Sequence, residues 1–484
     1  MCERITDELA GIDLGDKRLN RRSWKLLETL AANPEASING ACAGWAETNA
    51  AYRFFDNDNV TPDEILRPHR EATVLRMREH PVVIIAQDTT ELDYTDHPPK
   101  DARCLNRESR FGLYHHVHLA LTPDKVPLGV VGTESFDRAA ESLGRTEERD
   151  ALPIEQKESY RWLKGYRLAS ELAAECPHTQ VVSVADREAD IYDIYVEAQE
   201  QRRKLTHSAA NSAANSAANS ATAACADYVI RVKEERCTLE RDPATGPHAY
   251  HKVRRQVADS KLLTTVVVAL PATPQRAARQ AQLEVRAMTV TIKPPQARRH
   301  LPAVTANVVL VEEVAGPDDG TRVSWLLITT LSIATVADVL LVLKYYVARW
   351  GIEIYFRTLK TGCRVEEIQL ETKARLENCL AFYTIIAWRV VWLTYLNRAS
   401  PTLPCTVVFS DAEWKSVYRV VRRQPLPPTP PVLSEFMQMV AELGGYNNRE
   451  TERPAGPQCI WLGLRRTFDY ATAWVAFGPE QSCV

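Results

Sequence analysis

The sequence predicts an α/β protein, helical at both ends, with a β-rich stretch at about 228–330. Three observations carry that expectation. Val82–Ala86 and Val181–Ala185 are compact apolar runs bounded by polar residues, the pattern of strands buried on both faces. Five more strand-like runs fall in the β-rich stretch: Tyr228–Lys233, Thr264–Leu270, Glu284–Ile292, Thr305–Val311 and Ser324–Ile328. Helical periodicity marks residues 1–61, Val336–Leu359 and Ala374–Leu396.

Taken in order, Leu19, Leu26, Leu27 and Leu30 approximate a helical stripe beside Lys17, Arg18, Arg21, Arg22 and Lys25. Ala51-Tyr-Arg-Phe-Phe55 sets Arg53 among aromatics before the turn-rich Asp56–Asn59. Thr61 and Pro62 have the residue types of a helix cap and first helical position. Each of the two buried runs reads as a strand with a carboxylate at its end, Asp88 and Asp186. His115–Leu121 and Pro127–Gly132 read as further strands, and Ile191–Gln199 as a helix. The Ser-Ala-Ala-Asn repeats at 208–221 have little apolar surface to bury and read as an exposed loop or weak helix. A Pro-rich linker, Gln424–Pro431, precedes a helical tail that ends near Trp461–Phe477.

The chain has 484 residues, enough for two or three domains, and its 45% hydrophobic and 25% charged content is that of a globular protein. No run of residues reads as a membrane span or signal segment, so a cytoplasmic location is expected. Eleven cysteines lie singly, without C-x-x-C spacing, as reduced thiols rather than a disulfide framework. The net charge of −3 argues against a uniformly basic nucleic-acid binder. Cations nevertheless cluster at Lys17–Lys25, at Lys252, Arg254 and Arg255, at Arg298–His300, and at Lys415, Arg419, Arg422 and Arg423. Such patches can track phosphates locally, although any one of them alone reads as a solvated face.

Two aspartates after strands and a glutamate on a helix, Asp88, Asp186 and Glu353, can meet in space. Hard divalent cations take carboxylate oxygens and keep waters, and two such ions can activate an attacking hydroxyl and stabilise a leaving oxygen at phosphorus. The spacing is weak evidence alone, because an Asp after a strand more often begins a turn or caps a helix.

The motif around Glu353 is more specific. Tyr346-x2-Arg349-x3-Glu353-x6-Lys360 matches the Y-x2-R-x3-E-x6-K signature of the IS-four family of DDE transposases, which the chain therefore resembles. Asp186-Arg-Glu-Ala-Asp190 is similar to the segment around that family's second catalytic aspartate, and Asp88-Thr-Thr90 to the first. Ala51–Phe54 with Asn57–Val60, and Gly456–Leu464, resemble the two ends of the Tn-five (IS-fifty) branch.

The resemblance implies an RNase H-like catalytic core (62–398) with the β-rich stretch as an insertion. A helical DNA-binding domain (1–61) and a helical dimerisation domain (399–484) would flank it. It implies Mg²⁺, as two ions with Mn²⁺ able to substitute, held by Asp88, Asp186 and Glu353. It also implies transposon terminal repeats and target DNA as partners, and a homodimer in the synaptic complex. On one continuous helix Arg349, Glu353 and Lys360 would share a face, with Tyr346 one turn away, so that Tyr346, Arg349 and Lys360 contact phosphate. Trp325 matches the family's Trp that stacks a flipped base, with a core tryptophan as the plainer alternative. Arg231 matches a phosphate-contacting Arg, and Lys233 follows it on the same strand. Arg18, Arg21, Arg22 and Arg53 are the N-terminal DNA-binding candidates. Trp350 reads as core packing, and His115, His116 and His118 as strand packing rather than metal ligands. Glu188 and Asp190 read as support for Asp186. Two other functions stay open: a transposase-derived DNA-binding repressor that no longer cuts, and a general two-metal nuclease.

Overall fold

The structure, a computed structural model, describes residues 4–42, 44–140, 152–214, 224–246, 248–270, 277–317, 321–447 and 455–478. The expectation for the Ser-Ala-Ala-Asn repeats lies outside the described residues from 215 to 221. In chain order the helices before the first strand are α1 (Lys17–Ala32), α2 (Ile38–Ala41), α3 (Trp45–Phe55) and α4 (Pro62–Arg78). Then come β1 (Val82–Asp93), β2 (Gly112–Leu121), β3 (Pro127–Phe136), α5 (Tyr160–Glu175), β4 (Gln180–Ala185) and α6 (Tyr192–Ala214). The β-rich stretch holds β5 (Asp227–Arg231), β6 (Cys237–Arg241), β7 (Tyr250–Lys252), α7 (Val253–Ala258), β8 (Thr264–Leu270), β9 (Arg279–Ile292), β10 (Val304–Glu313) and β11 (Ser324–Thr329). The remaining helices are α8 (Val336–Ala348), α9 (Gly351–Arg357), α10 (Lys373–Ala399), α11 (Asp411–Arg422), α12 (Leu433–Leu443) and α13 (Pro457–Phe477).

Contacts divide the chain into two compact units. Unit 1 comprises Met1–Arg76, Thr89–Leu143 and Gly351–Val484; unit 2 comprises Met77–Asp88 and Gly144–Trp350. The boundary runs through β1 between Asp88 and Thr89, and through the signature segment between Trp350 and Gly351.

In unit 1, α1 buries Leu26, Leu27 and Leu30, three of the four leucines of its expected stripe. Helix α10 is the axis of this unit's core. Phe382 meets Phe54 and Phe55 edge to face at 5.8 and 6.0 Å, and the Asn378 amide donates to the carbonyls of Phe55 and Val60. By length and composition α10 reaches what a membrane span needs, contrary to the expectation, yet 83% of its most apolar window is buried in the protein. Close by, the buried Glu8 carboxylate accepts from Arg76 and lies hydrogen-bonded to His69. Burial alone would raise the Glu8 pKa, but His69 and Arg76 outweigh it and bring it to about 2. The Val130 amide donates to His69 Nε2, which leaves Nδ1 as the donor to Glu8. Strands β2 and β3 pair antiparallel. At the C-terminal end α12 and α13 approach so closely that a Cβ on Gly463 would strike the Val440 carbonyl.

In unit 2, the first half of β1 pairs in parallel with β4, and β4 in parallel with β5. β11, β10 and β9 then continue antiparallel, with β8 and β6 both pairing with β9. The first strand of the β-rich stretch is therefore a neighbour of β4. Together with the flanking helical regions, this is the mixed α/β organisation of an RNase H-like core. Short, polar β6, β7 and α7 carry too little periodicity to be read from sequence.

One expectation is corrected in both units. The helix expected over Val336–Leu359 is broken. α8 ends at Ala348, α9 restarts at Gly351, and a π-helical turn follows at Thr358–Gly362. Glycine is a poor helix former, and here a Cβ would sit 3.1 Å from Leu121 Cδ1, so the position is tight for any larger residue.

Candidate carboxylate site and nucleic-acid interface

The parallel register of β1 and β4 runs from Val82↔Gln180 to Ala86↔Val184. Two residues further along each chain stand Asp88 and Asp186. Because side chains alternate with period two, each lies on the face of Ala86 and Val184 respectively. Neighbouring strands are about 4.8 Å apart, so the register delivers two carboxylates side by side. Asp88 does not end its strand, as expected, since β1 runs on to Asp93; what stops there is the pairing with β4 and the run of buried residues. Gln87, buried next to Asp88, donates to Ser183 Oγ at 2.6 Å and ties the two strands together. Asp186 caps the short 3-10 turn Arg187–Ala189 by accepting from the Glu188 amide at 2.9 Å. Asp88 Oδ2 accepts from Arg349 Nη1 at 2.7 Å, and the two side chains are only 14% and 10% exposed.

Unit 2 also gathers the expected DNA-contacting residues of the β-rich stretch. Arg231, paired with Leu327 across β5 and β11, donates to the Ser324 carbonyl at 3.2 Å. Burial pulls its pKa down, with Tyr346, Arg187 and Asp186 as its electrostatic neighbours. Burial raises the pKa of the Tyr346 phenol beside Arg231 and Arg349. Tyr346 itself is 7% exposed, and Trp325 lies half-buried against it, edge to face at 5.4 Å. Trp350, expected in the core, is instead 59% exposed. It sits in the break between α8 and α9.

Lys233 is exposed, and its backbone explains the role of the acidic turn. Asp190 accepts from the amides of Lys233 and Glu234, from the Tyr195 hydroxyl and from the Arg236 guanidinium. Glu188 pairs with Arg161 at 2.9 Å. Sequence reasoning missed Arg236. Arg236 directly follows Glu234 and Glu235, and only its burial, which the sequence does not reveal, calls for the Asp190 partner.

In unit 1, Glu353 is half-buried on α9. Lys360 lies on the π-helical turn, where Nζ donates to the Glu91 carbonyl at 2.8 Å and pairs with Glu366 at 3.0 Å. Glu366 also accepts from the Asp93 amide, tying the lysine to β1. Among the N-terminal candidates, Arg18 pairs with Asp16 and Arg22 with Glu47, while Arg21 and Arg53 point to solvent. His115, His116 and His118 are buried between β2 and its neighbours: His115 bonds Ser135, His116 bonds Thr89 and His118 approaches the Gly132 carbonyl.

The oxygen donors of Asp88 and Asp186 fit a hard divalent cation, which binds through one or two carboxylates and keeps waters for the substrate to displace. Among the described residues no three His, Cys, Asp or Glu side chains converge on one point.

Comparison with protein families is consistent along the chain. Residues 1–60 match the family model described as Transposase DNA-binding, 215–388 Transposase DDE domain, and 385–473 Transposase Tn5 dimerisation domain. The DDE match includes Arg231, Lys233, Trp325, Tyr346, Arg349, Glu353 and Lys360, and begins after Asp88 and Asp186. These domains define a metal-dependent enzyme of DNA cleavage and strand transfer. The chain is a Tn5-like DDE transposase, with DNA-binding and dimerisation domains around its catalytic one.

Proposed function

We propose that the chain cuts and pastes an insertion sequence through two-metal phosphodiester chemistry, a hairpin at the transposon end and strand transfer to target DNA. The parallel β1–β4 register, whose last pair Ala86↔Val184 lies two residues before Asp88 on β1 and before Asp186 just past β4, supports this reading. In it, Asp88, Asp186 and Glu353 hold two Mg²⁺ ions, for which Mn²⁺ substitutes. The ions supply activation of the attacking oxygen and charge stabilisation at the leaving one.

The chain's own residues do the positioning. Arg349, Arg231 and Lys233 neutralise phosphates, and Lys360 does so from its turn. Tyr346 fixes the Trp325 ring, against which a base displaced from the stack rests. The exposed Trp350 extends the same aromatic surface. Arg18, Arg21, Arg22 and Arg53 engage the terminal repeat.

The domain limits that accompany this reading are 1–61 for DNA binding, 62–398 for catalysis with the insertion at about 228–330, and 399–484 for dimerisation. Two copies act together on paired ends, and exposed Val475 and Phe477 on α13 supply apolar surface for a second copy. The protein works in the bacterial cytoplasm, on the nucleoid when bound to DNA.

The test is incubation with Mg²⁺ and DNA carrying the terminal repeats of the element. Hairpin ends and joined products are expected, and both vanish in Glu353→Gln while DNA binding persists. Cleavage that survives Glu353→Gln refutes the assignment. Binding without cleavage by the unaltered chain identifies a repressor, and indiscriminate degradation a general nuclease.

A further inference from the structure

We infer that Arg349 is a cation placeholder on Asp88, so that a divalent metal and DNA enter this site together rather than independently. The inference rests on the proposed metal role of Asp88. It starts from a direct contact: the guanidinium donates to Asp88 Oδ2 at 2.7 Å, between two side chains at most 14% exposed. With so little water around the pair, screening is weak and the charge-assisted bond is strong.

A guanidinium keeps its charge at any physiological pH. A metal ion on Asp88 therefore has to displace Arg349 or stand next to it against like-charge repulsion.

Phosphate offers Arg349 an equivalent partner, because its oxygens accept the planar donors of a guanidinium as a carboxylate does. The surroundings favour such an exchange. Asp186, Arg187, Arg231 and Tyr346 interact electrostatically at this end of unit 2, and Arg349 acts on Tyr346 as well. Arg187, Arg231 and Arg349 thus stand near Asp186 and Tyr346 as cations that an arriving phosphate can engage. Arg349 also stands at the break after α8, beside the exposed Trp350, where a side chain can turn outward without unwinding a helix. Transfer of Arg349 from Asp88 to a phosphate exposes the carboxylate to metal, and by linkage bound metal strengthens the hold on DNA. Arg349 thereby holds divalent ions off Asp88 until a phosphate draws it away.

The experiment reads metal binding rather than activity. Mn²⁺ is titrated into the full-length, DNA-free chain and free Mn²⁺ is followed by electron paramagnetic resonance. Arg349→Gln is expected to tighten Mn²⁺ binding about tenfold or more. Arg349→Lys, the gentler variant for the fold, keeps the charge but loses the planar donors and tightens it about threefold. Asp88→Asn weakens binding in every background. Unchanged or weaker Mn²⁺ binding in both Arg349 variants, with Asp88→Asn still weakening it, overturns the placeholder and leaves the metal role of Asp88 standing. Mn²⁺ binding indifferent to Asp88→Asn and to Asp186→Asn overturns both.

Discussion

Replacing Asp190 by alanine removes the acceptor for the Lys233 and Glu234 amides, the Tyr195 hydroxyl and Arg236 Nε. Asp190 and Arg236 side chains are 1% and 7% exposed, so the variant leaves a guanidinium buried without its counter-charge. Breaking a buried ion pair from one side costs about 3–5 kcal/mol, most of it for the charge left behind. The loss should be local, because these bonds fasten the turn after β5 to the acidic turn after β4. Hydrogen exchange of a peptide covering 232–236 measures it directly. An opening made about 3 kcal/mol easier speeds exchange of the two amides roughly a hundredfold. The double variant Asp190→Ala/Arg236→Met removes the orphaned charge as well, and should recover about 2 kcal/mol or more of that loss. Exchange accelerated less than about threefold in the single variant, or a double variant no better than the single, would refute the reasoning.

Acid should destabilise unit 1 in two stages. Burial brings the His115 pKa to about 4, so this imidazole stays neutral in the fold while the unfolded chain takes up a proton below about 6.5. Stability therefore falls as pH drops below about 6.5, by about 3 kcal/mol for His115 once pH 4 is reached. Glu8, lowered to about 2, adds stabilisation that is present above about 4.5 and lost as pH falls toward 2. Melting temperatures that stay level from pH 7 to 4.5 would contradict this. Gly463→Ala should lower the melting temperature of the C-terminal helices at a cost of about 1–3 kcal/mol, because the Val440 carbonyl it strikes is backbone; an unchanged melt would show that α12 and α13 can separate freely. Lys360→Ala should weaken binding of terminal-repeat DNA across sequences and reduce the salt-dependence slope by about one, as measured by fluorescence anisotropy at several salt concentrations. An unchanged slope would remove Lys360 from the phosphate contacts.

Local pattern made much of this protein legible. Val82–Ala86 and Val181–Ala185 are strands because an apolar run that short satisfies a sheet buried on both faces, and the polar residue that ends each run is fixed by the same chain. The leucines of α1 declare their buried face at helical spacing, and the signature spacing around Glu353 marks the family without any contact being known. Chain-distant packing decided the rest. The partner of Asp88 lies 261 residues away and that of Asp190 lies 46 away, separations at which periodicity carries no information. The signature segment reads as one helix, yet α8 ends at Ala348 and α9 begins at Gly351, and Tyr346 and Arg349 belong to one compact unit while Glu353 and Lys360 belong to the other. The sequence by itself determined which residue types stand at which strand and helix positions, since backbone period and residue chemistry are local. Only the tertiary structure decided that Arg349 stands on Asp88, that Arg236 holds Asp190 and that Trp350 faces solvent, because those outcomes depend on which distant surfaces exclude water from one another.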